Sequence, residues 1–479
     1  MTGDEIGAVI DSGLVDWQIV QQNEHGYGTI ALHGRWFGDA MLPGTGAVQV
    51  RVLLEATGAP LSRVLDWAPV KTTDDGAWEA RLDVPTGGLY RIETRYVPPG
   101  MPAPEWSPRG DVRHFVGVGD LWIIAGQSNS AGYGRGPIED PPTLGVHLLR
   151  NSEQWALAAH PLNDSTDTRH LVNREASNPG HAPYIQFGRT LQRTLGYPIG
   201  LVQTALGGSP LSAWNPTEPA PAPLFENLVH CARLAGGLVR GILWYQGETD
   251  TGSDELALNY TDRFCAAVKA WRAALKMPHL PVLTVQLNRV CEPATAEGDR
   301  RWTIVRDAQR RVPEHIDGVV VVPALDLPLS DLIHISPAGN LILGERLAHA
   351  ALGAVFARPI DYRAPMIRAA LQAGDDMVVL QFGDVTSRMD TLDTTAIPFR
   401  VEDSQGDVPL AGVAYPGDTT VRLALTRSLA DGAVVHGGYG EAPATVPLDI
   451  ERMMPMLAFW AVPVAKAAVS GDPTSSSTK

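Results

Sequence analysis

Four short segments carry residue types that together make up an acyl-transfer centre. The first is Gly126-Gln127-Ser128-Asn129-Ser130, directly after the apolar run Leu121 to Ala125. A serine in a glycine-containing turn at the carboxyl end of a strand stands above its sheet. There it can attack a bound carbonyl, and its own N–H can help hold the oxyanion that results. The same serine would serve equally well as a helix cap. The second segment is Ala205-Leu206-Gly207-Gly208-Ser209, where paired glycines let the backbone approach a ligand and present an N–H, or simply make a tight turn. The third is Trp244-Tyr245-Gln246-Gly247-Glu248-Thr249-Asp250, whose Gln246 side chain is an amide donor for an oxyanion. Glu248 and Asp250 are alternatives there as a metal or acid–base pair, although loop carboxylates usually bind backbone N–H groups. The fourth is Asp331-Leu332-Ile333-His334. A carboxylate three residues before a histidine can turn back and fix its tautomer, freeing the other ring nitrogen to take a proton from serine. Asp326 is a competing carboxylate.

These segments need a scaffold that brings successive strand ends together, and the middle of the chain predicts one. Strands are expected at Leu121 to Ala125, Ile199 to Leu206, Gly241 to Tyr245, Pro281 to Leu287 and Gly318 to Leu325. Between them lie helical stretches: Tyr184 to Leu195, Glu226 to Ala235, and a face carrying Tyr260, Phe264, Val268, Trp271 and Leu275 at three- and four-residue steps. Pro337 opens a last helix, where its missing N–H costs nothing. This alternation implies a parallel sheet covered by helices. Residues 1 to about 115 instead show short alternating runs such as Trp78 to Val84, split by Asp-Gly and Gly-Gly turns, and predict a β-sandwich. Residues 359 to about 468 return to short strands, among them Met377 to Phe382, Pro398 to Val401 and Val421 to Leu425. The tail 469–479, rich in serine and threonine, is expected to be disordered. The domain expectation is therefore 1–115, 116–358 and 359–468.

The four segments, in this order and spacing, resemble the blocks of the sialate O-acetylesterase-like group of SGNH hydrolases. Gly119 to Asn129 is similar to the first block, Ala205 to Trp214 to the second, Tyr245 to Asp250 to the third and Asp331 to His334 to the last. The resemblance covers about residues 115 to 355. It implies a flavodoxin-like three-layer α/β/α core and a carbohydrate O-acetylesterase without cofactor or metal. It also implies Ser128 as nucleophile, His334 as base and Asp331 as its partner. The oxyanion donors it implies are the N–H groups of Ser128 and of Gly208 or Gly207, with the Gln246 side chain. Trp214 and Gln127 are the expected substrate-binding residues. Rival expectations are a promiscuous short-chain carboxylesterase and a catalytically silent carbohydrate-binding protein. The family often has methionine where Ser130 stands.

Composition bounds the partners. The 479 residues are 44% hydrophobic and 19% charged, with a formal net charge of −15. Such a chain is repelled by nucleic acid and by anionic membranes; the acetylated sugar or oligosaccharide expected as partner is what the resemblance implies. Oligomeric state is not readable. No stretch reaches the roughly 18 apolar residues of a membrane span, and the first residues, MTGDEIGAV, do not read as a secretion signal. A soluble cytoplasmic protein is the expectation, with a secreted protein whose signal has been removed as the alternative. Three scattered cysteines, Cys231, Cys265 and Cys291, argue against a disulfide framework and against a structural zinc site, and predict buried free thiols.

Overall fold

A computed structural model describes residues 7–38, 46–101, 104–177 and 179–466. The predicted tail lies outside these residues. Five apolar runs form the centre of a mixed α/β unit: Arg109–Gly126, Ile199–Gln203, Gly241–Tyr245, Val282–Gln286 and Val319–Pro323. Unbroken apolar runs such as Gly241-Ile242-Leu243-Trp244-Tyr245 have no polar face to offer water, so they settle in a sheet buried on both sides. All five pair in parallel, in the spatial order second, first, third, fourth, fifth. The strands Val146–Leu149 and Trp155–Leu157 extend the sheet beyond Ile199–Gln203.

Among the described residues seven α-helices accompany these strands: α1 Ser128–Ala131, α2 Tyr184–Leu195, α3 Pro223–Leu234, α4 Asp254–Leu258, α5 Tyr260–Leu275, α6 Ala296–His315 and α7 Pro337–Ala354. α2 packs on α7, while α5 packs on α3 and α6. Tyr260, Phe264, Val268 and Trp271 of α5 are fully buried, as their helical spacing requires. The register sets Gly126 beside Tyr245, so Gly126, Gln203, Tyr245, Gln286 and Pro323 end their strands at one edge of the sheet. Every segment with candidate chemistry follows one of these ends.

The N-terminal strands form two packed layers around Ile30, Val50, Leu82 and Tyr96. The Arg109–Gly126 strand runs straight through the expected boundary at 115/116. Its first half pairs with Gly87–Val97 and its second half with the parallel sheet. The N-terminal layers are therefore continuous with the central sheet. After α7 an eight-stranded sheet encloses its own apolar cluster, with Val378, Leu380, Leu423 and Phe459 at its centre. Among the described residues no helix is long and apolar enough to cross a membrane. Cys231 and Cys265 are buried free thiols as expected, whereas Cys291 is exposed, because it lies in an irregular segment between Val282–Gln286 and α6.

Candidate active site

Ser128 is the first residue of α1, at the end of the central strand. Gly126, two residues earlier, has φ +121°, and a Cβ there would lie 2.1 Å from the Tyr245 carbonyl oxygen. Only glycine permits so close an approach, and that approach seats the Ser128 turn against the neighbouring strand. The Ser128 hydroxyl carries no hydrogen bond to any described residue, and as the first residue of α1 its N–H has no partner in the turn before it.

The histidine loop is strapped to α1. Asn129 Oδ1 accepts the N–H of Ile335 at 3.0 Å, and Asn129 Nδ2 donates to the Ile333 carbonyl at 3.4 Å. The residue after the serine thus grips both neighbours of His334. Tyr133, whose N–H donates to the Ser128 carbonyl, stacks on the imidazole with ring centroids 5.0 Å apart. His334 Nδ1 lies 2.7 Å from Asp331 Oδ2. A carboxylate only accepts, so Nδ1 carries the proton and Nε2 is left as the basic atom. Asp331 is itself fixed, since its Oδ1 accepts the N–H groups of Ile333 and His334. Burial pushes its carboxyl up, but these N–H groups and the imidazole more than offset that and hold it below the usual range. Asp326 takes no part: it forms a two-pronged ion pair with Arg346 at 2.7 Å and 2.7 Å.

Of the two glycines, one is spent. The Gly207 N–H donates to Glu175 Oε1 at 2.8 Å, whereas the Gly208 N–H has no partner among the described residues. Gly208 has φ +67°, and a side chain added there would meet nothing within 4 Å. Gly208 is thus the free donor on the open side of the turn.

Two expectations need correction, those for Gln246 and Trp214. Gln246 is 0% exposed. Its Nε2 donates to Asp250 at 2.6 Å and reaches Gln127 Oε1 and the Ser209 carbonyl at 3.3 Å, and its Oε1 accepts from Tyr260. With its donors committed inward, it braces the site from below and has none free for an oxyanion. Gln127 is the other expected substrate-binding residue, and its Oε1 accepts from Thr249 N and Gln246 Nε2. That fixes the amide so that Nε2, which has no partner among the described residues, is the available donor next to Ser128. Trp214 is also fully buried. It packs edge-on against Trp244 at 5.3 Å and donates its indole N–H to Ser209, so it belongs to the core.

Glu248 and Asp250 divide in role. Asp250 is paired with Arg263 at 2.6 Å and accepts from Leu211 N and Gln246. Glu248 accepts from Asn129 Nδ2 at 2.9 Å. Burial pushes its carboxyl up to about 7, against the Asn129 hydrogen bond. Sequence reasoning missed Asn129, Tyr133 and Glu175. Glu175 binds Tyr133 Oη, Gly207 N and Asn163 Nδ2, and it lies in a long irregular connection with no pattern to mark it.

Residues 118–353 match the family described as carbohydrate esterase, sialic acid-specific acetylesterase. The chain is similar to a protein of Arabidopsis thaliana described as a probable carbohydrate esterase, 28% identical over 283 residues that make up 54% of this chain and 98% of the relative. Human sialate O-acetylesterase is 27% identical over 194 residues, 33% of this chain and 36% of that protein. Among solved structures, a carbohydrate acetylesterase from Xanthomonas citri superposes with a TM-score of 0.64 at 22% identity, covering 93% of this chain and 98% of its own, a likeness of fold. Through residues 118–353 the chain belongs to the carbohydrate esterase family of sialic acid-specific acetylesterases.

Proposed function

We infer that this chain is a serine-dependent O-acetylesterase of the SGNH type, acting on an acetylated sugar from a flavodoxin-like three-layer core. The observation that carries this reading is the strapping of the Asp331–His334 pair over the Ser128 turn by Asn129. The family match supports an acetyl ester of a sugar as substrate. The strand order of the parallel sheet supports the core.

In this mechanism His334 Nε2 takes the Ser128 hydroxyl proton as Oγ attacks the acetyl carbonyl. The oxyanion is met by the N–H groups of Ser128 and Gly208 and by the Gln127 amide. His334 returns the proton to the sugar oxygen as the ester bond breaks. Water, deprotonated by the same histidine, then attacks the acetyl-Ser128 carbonyl and releases acetate. Asp331 steadies the imidazolium at both steps. The absence of an Oγ–Nε2 hydrogen bond in the free enzyme is compatible with this, since such bonds often close only around substrate.

The test is Ser128→Ala with acetate release from an acetylated sugar as readout. Turnover falls to background while the melting temperature stays near that of the parent, because the hydroxyl makes no hydrogen bond to lose. A fluorophosphonate should add once, on Ser128, by mass spectrometry. Labelling at another serine would overturn the assignment.

A further inference from the structure

Away from the Ser128 cleft, two clusters bring two histidines to one carboxylate, and they differ in a way that separates an ion-pair network from a metal site. In the first, His160 Nε2 and His181 Nε2 lie 2.9 Å and 3.0 Å from Asp140 Oδ2, and Arg189 holds the other oxygen at 2.6 Å. Those are hydrogen-bond lengths, and the carboxylate is saturated. In the second, Glu153 Oε1 lies 3.3 Å from His230 Nε2 and 3.5 Å from His170 Nε2. The imidazoles meet at an angle of 58°, with centroids 5.3 Å apart. These separations are long for charge-assisted hydrogen bonds. They are the spacing of neighbouring ligands around a tetrahedral zinc, about 3.4 Å for bonds of about 2.0–2.1 Å.

We propose that Glu153, His170 and His230 form a zinc site that staples the long connection between the Trp155–Leu157 strand and α2. Glu153 sits in the turn between Val146–Leu149 and Trp155–Leu157, His170 within that connection and His230 on α3. The three donor atoms lie within 4.8 Å of one another. Two neutral imidazoles and one carboxylate are a set that zinc takes, with a fourth position left to water. His170 is 6% exposed and His230 53%, so the site is anchored on one side and open to entry of the ion on the other. Arg169 approaches only the other carboxylate oxygen, at 3.5 Å, and is itself 66% exposed.

The staple has a use. Among its described residues the connection contains one short 3-10 turn, Leu171–Asn173, and connections this long without regular structure are uncommon in compact domains. It carries Glu175, which consumes the Gly207 N–H and so leaves Gly208 as the free donor. The ion ties His170, five residues before Glu175, to both the sheet edge and α3.

The experiment uses the untagged full chain, stripped with chelator and dialysed against zinc chloride. Bound zinc is counted by mass spectrometry, and thermal unfolding is followed with and without the ion. Wild type and His160→Ala should hold one zinc per chain and unfold several degrees higher with it. Glu153→Gln and His230→Ala should bind about tenfold or more weakly, with a circular dichroism spectrum like the parent's. His230 is exposed, so its loss leaves the fold intact. A wild-type chain that retains no zinc, or a His230→Ala variant that retains as much as wild type, overturns the proposal.

Discussion

Asp331 and His334 are three residues apart, and their contact is made by the loop they share. The carboxylate accepts two N–H groups of that loop and the imidazole Nδ1–H. In Asp331→Asn the amide would keep the loop but would favour the tautomer that protonates Nε2, the atom needed as base. A fall in kcat of several orders of magnitude is expected, up to about 10⁴, with KM nearly unchanged. Asp326→Asn instead loosens the Arg346 pair, seen as a lower melting temperature with kcat largely kept. If Asp326→Asn were the less active of two equally folded variants, the assignment of Asp331 would fail. This local contact was legible in the sequence because nothing distant decides it. Gln246 was misread for the opposite reason. Its type and strand-end position suit an oxyanion donor, but Asp250 and Tyr260 decide where its amide turns. Trp214 was misread because Trp244 and Trp271, from other elements, enclose it. The cysteine count argued against a structural zinc site, but it is silent on ligands such as Glu153, His170 and His230 drawn from three segments.

At the scale of elements, α1 and the histidine loop meet through Asn129, and beneath Asn129 lies Glu248. The positions of Tyr184–Leu195 and Gly241–Tyr245 were readable to the residue, because periodicity and unbroken apolar runs are properties of one segment. The contact between elements was not, since it depends on a buried acid without its own pattern. One oxygen of Glu248 accepts from Asn129, and the other, Oε2, is buried without a partner. A carboxyl so placed is stable as the neutral acid. Burial raises its folded pKa from about 4.5 to about 7. Below pH 4.5 both folded and unfolded chains hold the proton, and the contribution to stability is complete. As pH rises toward 7 only the folded chain still holds it, so that contribution is lost, by roughly 3 kcal/mol in total. Glu248→Gln cannot ionise. Its stability relative to wild type should therefore climb between about pH 4.5 and 7 and then level off, whatever constant offset the substitution adds. Thermal or denaturant unfolding of both proteins across that range measures the difference. A difference that stays flat would mean that Glu248 is ionised throughout.

The whole molecule enters the site through Arg306, a fully buried guanidinium on α6 without a carboxylate partner. It donates to the carbonyls of Leu287 and Asn288 on one side and of Gly440 and Glu441 on the other. Gly440 and Glu441 come from the C-terminal β region, so one side chain joins that region to the central sheet. Burial lowers the Arg306 pKa to about 9, which leaves it charged at neutral pH. Gln286 adds a second join, exchanging hydrogen bonds with the backbone of Ala458. The join extends to the loop of Asp331 and His334: Asn288 Nδ2 donates to the Ile333 carbonyl at 2.7 Å and Cys291 N to the Leu332 carbonyl at 2.7 Å. The C-terminal β region is therefore linked, through Asn288 and Cys291, to the loop that holds His334. Replacing Arg306 with methionine fills similar space but strands four buried carbonyls, a loss of about 3–5 kcal/mol. A clear drop in melting temperature is expected. At temperatures where the variant is still folded, kcat should also fall, because the loop that holds His334 loses its support. Arg306→Lys keeps the charge but cannot span both pairs of carbonyls, so it should fall between the two on both measures. A methionine variant with lower stability but unchanged kcat would show that the C-terminal region stabilises the fold without reaching the histidine loop.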